Sequence, residues 1–552
     1  MFWDSALFAL DAQTQTTLPR LVQRELALPR QDAAADGLRE YAFKHAILHQ
    51  VTYGTVLKRQ RKELHAKTAR WLAQQTGPRA KGWLGTAAEH FELAGDDVNA
   101  AEFYARAAEY TASTFAHESA LDYTKRALAL MAEGDHELRW RLLAARERTL
   151  DLLGQREAQH QDIEALLTLA EILDDDLRRA EAASRRCDIA MRTSDYPTME
   201  REAGRAQALA ERAGNEKLAL RELHHLAVAI AYQGDPATGR ALAEAGLKRA
   251  ELHADGGLQS LLANAAVICA ELQGDRMACL QHALFALAMA HDSGNRLRDA
   301  VNLGNVGIGY AAFGDYATAR QYIEKALDLN RAVGNRSGEG VNLIMLSDVA
   351  LQLGECTQAL ILARAALDIA VAVGARFNQI NVLSHLASAE LSLGRFAEAA
   401  VAFERSEELA LEINSTPLLL DALSGAALVA LACQDNAQAV RMVERLLEAI
   451  HAVANAVVPG GLAGAGQTNP LAGAHEHAIR LTLCRVWSRA GDPRATGAIS
   501  DAYRVVINEA DRISDAALRH SFLTNVPDHN AIVKLWGNAA NPSVGAQPRS
   551  AL

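Results

Sequence analysis

Hydrophobic and polar positions along the chain fall into columns that recur every 40 residues. The clearest column is a helix-breaking glycine. Gly154, Gly234, Gly274, Gly314, Gly354 and Gly394 share one register, and Ser194 and Gln434 fill the same position. Eleven residues before it stand Leu223, Leu303, Leu343, Leu383 and Leu423. Five after it stand Gly239, Cys279, Ala319, Ala359, Ala399 and Ala439, all small. Twelve after it stand Gly246, Ala286, Ala326, Ala366 and Ser406, again small, and Leu247, Leu287, Leu327 and Leu367 follow directly. Small residues let two helices approach closely, and leucines fill the space beside them. Asp235, Asp275 and Asp315 come straight after the glycine. The glycine therefore closes one helix in the left-handed conformation and the aspartate caps the next.

A second turn column lies 20 residues on, at Gly214, Gly294, Gly334 and Gly374, with Asn414 also suited to a left-handed backbone. Each 40-residue unit is thus two helices of about 15–17 residues, and one such pair cannot bury its apolar face alone. The units must stack. The rhythm extends upstream through the Gly95-Asp96 turn and breaks after residue 450. Residues 451–474 are glycine- and alanine-rich and read as a flexible linker. A terminal helical pair and cap follow over 475–540, with a disordered tail at 541–552. Residues 1–75 do not fit the repeat. There, apolar runs at Leu26–Leu28 and Tyr41–Phe43 flank a polar loop and predict a small hairpin after a helix over 18–26. Phe43, Ile47 and Val51 share one face of the next predicted helix. Helix, hairpin and helix in this length give a winged-helix outline.

Composition agrees with helices and narrows the classes of function. The 552 residues carry only 5% aromatics and 12 prolines, with a formal net charge of −11. That charge argues against nucleic acid as the main partner. Cys187, Cys269, Cys279, Cys356, Cys433 and Cys484 show no CxxC spacing and read as reduced core thiols of a cytoplasmic protein. No apolar run reaches the roughly 18–20 residues a membrane span needs.

The stretch GDYATARQYIEKALDLNRAVGN (314–335) resembles a tetratricopeptide repeat, with a small residue at the helix crossing and an aromatic just after the turn at Tyr196, Tyr316 and Phe396. The resemblance implies an all-α, right-handed tetratricopeptide-like helical-hairpin solenoid over 76–450, lengthened from the usual 34-residue period to 40. The N-terminal segment resembles the winged-helix end of the ATPase module in signal-transduction ATPases, especially those linked to class III adenylate cyclase domains. The matching residues are Phe2-Trp3, Leu18/Leu21/Arg24/Leu26, Tyr41-Phe43-His45, Tyr53 and Arg61-Leu64-His65, and ISDAALRHSFLTNVP (513–527) matches the end of those chains. That resemblance implies a sensor or regulatory arm, with an ATPase domain lying before residue 1. The chain departs from the family in two respects: it has no GxxxxGK[ST] and no Gly-Lys dipeptide, so no phosphate-cradling loop, and it lacks the cyclase domain with its paired metal-binding aspartates.

Candidate chemistry is sparse. His45 and His49 are spaced for one helix face, but no further ligand is in register, so no metal is expected. By the ATPase resemblance, His45 would contact a nucleotide only with the upstream domain present; otherwise it is a packing histidine. The basic run over 58–70 has a net charge of +5. It reads as a solvated helix face or a surface for an acidic domain rather than a nucleic-acid site. No catalytic constellation and no cofactor are expected. The concave face of the solenoid would be lined by the first helix of each pair. His224, His225, Asn264, Asn302, Asn305, Asn342, Arg376, Asn381 and His385 fall near the right phase. As exposed polar residues they would form a groove for a protein or peptide partner, or a small effector. The alternatives are a free-standing scaffold or the repeat arm of a winged-helix transcription regulator.

Overall fold

The computed structural model describes residues 12–29, 41–75, 78–291, 295–455, 471 and 475–540. The predicted linker core, the Phe2-Trp3 pair, the hairpin loop, Gly294 and the terminal tail lie outside these residues. The described chain is all-α apart from one hairpin, and forms two compact units, Met1–Thr149 and Leu150–Leu552.

In the first unit, helix Ala12–Gln23 leads into strands β1 (Ala27–Pro29) and β2 (Tyr41–Phe43). The strands pair antiparallel with Ala27 opposite Phe43. Two helices follow, Ala46–Thr55 and Lys58–Gln74. The expected shared face of Phe43, Ile47 and Val51 does not form. Phe43 is spent on the hairpin, while Ile47 and Val51 are 74% and 60% exposed. The basic helix joins the unit's core from its far end. Its Ala69 and Leu72 pack with Ala88, Phe91, Phe103 and Tyr104 of the helices Leu84–Ala94 and Asp97–Ser113. Gly95 closes the first of these at φ +80°, and the Asp96 carboxylate accepts from the Asn99 amide to open the second.

The second unit repeats that device. Glycines 154, 234, 274, 314, 354 and 394 all have positive φ, as do Ser194 and Gln434 in the same column. Asp235, Asp275 and Asp315 each accept a backbone N–H three residues on. The alternate turn column is left-handed at Asp174, Gly214, Ala254, Gly334, Gly374 and Asn414. Asn215, Asn295 and Asn335 cap the helices after it, a column of caps additional to the aspartates. From Asp176 to Asn455 each first helix packs on its own second helix and each second helix on the next first helix, and most successive first helices touch one another. The small-residue columns sit at the crossings. A Cβ on Gly239 would lie 2.5 Å from the Ala227 carbonyl oxygen, and one on Gly246 would lie 2.8 Å from Leu262. Ala319, Ala359, Ala399 and Ala439 are fully buried.

Two long-range ties bind this unit to itself. Gly154 meets Val373 so closely that a Cβ there would lie 2.4 Å from its Cγ1, and Arg156 donates to Asp151, Gln159 and Ser337. The C-terminal helices Arg494–Arg512, Ala516–Thr524 and Pro527–Ala540 form the second tie. Their Val506, Phe522 and Ile532 share a core with Leu280 and Phe313 from the middle of the array. Arg276 pairs with Glu509 at 3.3 Å, and Asn525 donates to the Gly314 carbonyl.

Candidate binding face on the first helices

The sequence-predicted groove residues all lie on first helices of five consecutive pairs, from Glu216–Tyr232 to Arg376–Ser392. Their exposure differs from the expectation. His224, His225, Asn264, Asn302 and Asn342 are buried, Asn305, Asn381 and His385 are half-buried, and Arg376 is exposed as expected. The reason is hydrogen bonding between neighbouring pairs. Asn264 donates to Asn302 at 2.8 Å, Asn302 to Ser260 and to the Ala286 carbonyl, and Asn305 to Asn264 at 3.0 Å. Asn330, on the preceding second helix, donates to Asn342 at 2.7 Å. A buried amide survives only when its donors and acceptors are met, and this ladder meets them.

His225 is bracketed by acids, with Nδ1 3.0 Å from Glu222 and Nε2 3.2 Å from Asp188. Burial opposes its charge, but Glu222 and Asp188 prevail and raise its pKa to about 9. Next to it, burial and then the His225 charge push His224 well down, and its Nδ1 is enclosed without a partner.

Further along, the first helices carry half-buried groups whose bonding capacity is unspent. The His385 ring is hydrogen-bonded at the Ile344 backbone while its Nδ1 is shielded without a partner, and Asn381 makes no hydrogen bond among the described residues. Asp348 lies near His385, with half-buried Ile344 and Met345 on the same helix. At the end of the row, His475 bonds Asp421 at 2.8 Å. Attraction to Asp421 raises its pKa to about 10, although its side chain is 67% accessible. Asp348, Asp421 and His475 were not among the predicted residues. Their column was readable in principle, since Asp421 lies one period after Asn381. His45 is exposed at the start of helix Ala46–Thr55, and its side chain caps nothing.

Residues 299–372 match the tetratricopeptide repeat family model. No curated protein matches the chain significantly. Several solved structures are similar to the chain. A Rap protein complexed with competence and sporulation factor is 14% identical over 64% of this chain and 98% of its own, with a TM-score of 0.48. NprR in complex with its cognate peptide NprX is 14% identical over 64% and 99%, with a TM-score of 0.41. A signal-transduction ATPase with numerous domains and a tetratricopeptide repeat sensor, from Pyrococcus horikoshii, is 14% identical, with a TM-score of 0.36. That match covers 80% of this chain and 59% of the ATPase. The chain has a tetratricopeptide-like helical-repeat fold with a family match over 299–372, and none of its described helices is long and apolar enough to cross a membrane.

Proposed function

We propose that this chain is a non-catalytic arm that binds a protein or peptide partner along its row of first helices. The observation that carries this reading is half-buried Asn381, which makes no hydrogen bond among the described residues, set beside half-buried His385, Ile344 and Met345. A partly accessible amide with unmet donors and acceptors suits an extended peptide, which offers N–H and C=O groups at close spacing. The test is selection of binders from a random peptide display library on the purified chain. Selected peptides should lose at least tenfold in affinity for the Asn381→Ala/His385→Ala double variant. Equal binding to both proteins would reject the face.

The finer reading is a sensor arm for a signal-transduction ATPase. It draws support from the exposed apolar side chains Ile47, Val51, Leu57 and Leu64 in the first unit, which are 47–74% exposed and suit coverage by another domain. In that reading His45 faces the nucleotide only when the ATPase domain is present. The chain alone should show no binding of a fluorescent ATP analogue; tight binding would overturn the assignment.

A further inference from the structure

A buried cluster between two neighbouring first helices has the composition of a metal centre. Cys187 stands on helix Asp176–Thr193, and Glu222 and His225 stand three residues apart on helix Glu216–Tyr232. One ligand atom from each lies within 4.8 Å of the other two, and all three residues are at most 2% exposed. We infer that Cys187 Sγ, a Glu222 carboxylate oxygen and His225 Nδ1 form a structural zinc site that clamps the two hairpins together.

Two features of the surroundings favour a metal over a plain polar core. First, the His225 ring is oriented by its other nitrogen, Nε2, which faces Asp188 at 3.2 Å. A carboxylate holding the far nitrogen is the usual support for a metal-ligating imidazole. Second, the Glu222 oxygen not turned to His225 accepts from Ser184 Oγ at 2.5 Å, which fixes the carboxylate plane. A water supplies the fourth donor of a tetrahedron. One soft thiolate with imidazole and carboxylate selects zinc over magnesium or calcium. The exchange balances: Zn²⁺ enters, one proton leaves the Cys187 thiol, and one leaves His225 Nδ1 while Nε2–H stays bonded to Asp188. Net charge in the cluster is conserved, so the metal adds no unpaired charge to the core.

The experiment uses the full chain, freed of metal by a chelator and titrated with Co²⁺. A thiolate-to-cobalt charge-transfer band should saturate at one equivalent and vanish when one equivalent of Zn²⁺ is added. The band should be lost in Cys187→Ser and kept in Cys433→Ser, which alters an exposed thiol. No charge-transfer band in the unmodified chain, or an undiminished band in Cys187→Ser, overturns the site. X-ray absorption on the zinc-loaded unmodified chain decides independently of whether the variants fold. One sulfur at about 2.3 Å is expected, and a first shell without sulfur refutes the assignment.

Discussion

At the scale of single residues, the turns and crossings impose opposite demands on glycine and alanine. Gly239 sits where a methyl group would strike the Ala227 carbonyl at 2.5 Å, and that backbone cannot swing aside as a side chain could. Gly239→Ala should therefore destabilise the protein by about 1–3 kcal/mol, read as a lower thermal midpoint. Ala254 is the converse case. It holds φ +47° in a column where Gly214, Gly334 and Gly374 stand at equivalent positions. Left-handed backbone costs an L-residue roughly 1–2 kcal/mol, part of which a glycine returns as unfolded-state entropy. Ala254→Gly should raise the midpoint, with a gain of up to about 1 kcal/mol. These positions were legible in the sequence because left-handed backbone and close crossings restrict residue type so sharply. The fate of the groove residues was not. Asn302 is fully buried because its partners Asn264 and Ser260 lie about one repeat away. A 40-residue period places such residues on the same face, but does not say whether they bond to each other or to solvent.

At the scale of elements, the contact between helices Lys58–Gln74 and Leu84–Ala94 contains a pH-sensitive joint. His65 and His90 approach Nδ1 to Nδ1 at 2.8 Å, so the pair holds one proton between the facing nitrogens rather than two. The Tyr53 hydroxyl caps the other side of His65 at 2.9 Å. Burial, then the charge of His65, lowers the His90 pKa from 6.5 to about 4. The sign follows from comparing the folded and unfolded states. Below pH 6.5 the unfolded chain takes up a proton that folded His90 refuses, so stability is present at neutral pH and is lost as pH falls towards 4. Hydrogen exchange over residues 58–94 should accelerate across that window, and His90→Gln should flatten the dependence. A profile unchanged by the substitution would place the sensitivity elsewhere. The hairpin here was legible from two short apolar runs. The exposure of Ile47 and Val51 was not, because an amphipathic face in a sequence does not reveal what covers it.

At the scale of the whole second unit, the C-terminal helices are more than an end cap. Phe522 is fully buried in the core that also holds Leu280 and Phe313, and Arg276 lies 5.6 Å over its ring. Burial opposes ionisation of Glu509, but His477 and Arg276 hold its pKa at about 2, so this contact stays ionised at neutral pH. Phe522→Ala should cost about 3–5 kcal/mol. Faster hydrogen exchange should then appear in two places, around 273–316 and across 475–540. A change confined to the C-terminal helices would show that the mid-array contact is only apposition. The tie at the other end has a mechanical consequence. A row of helix pairs held only by neighbours peels from a free end, pair after pair, at a low and nearly constant force. With Gly154 seated on Val373 and Arg156 bonded to Ser337, the intervening stretch is a hoop and not a ribbon. Tension applied at the ends is shared around the hoop, so the pairs inside it should hold together and then give way in one large step.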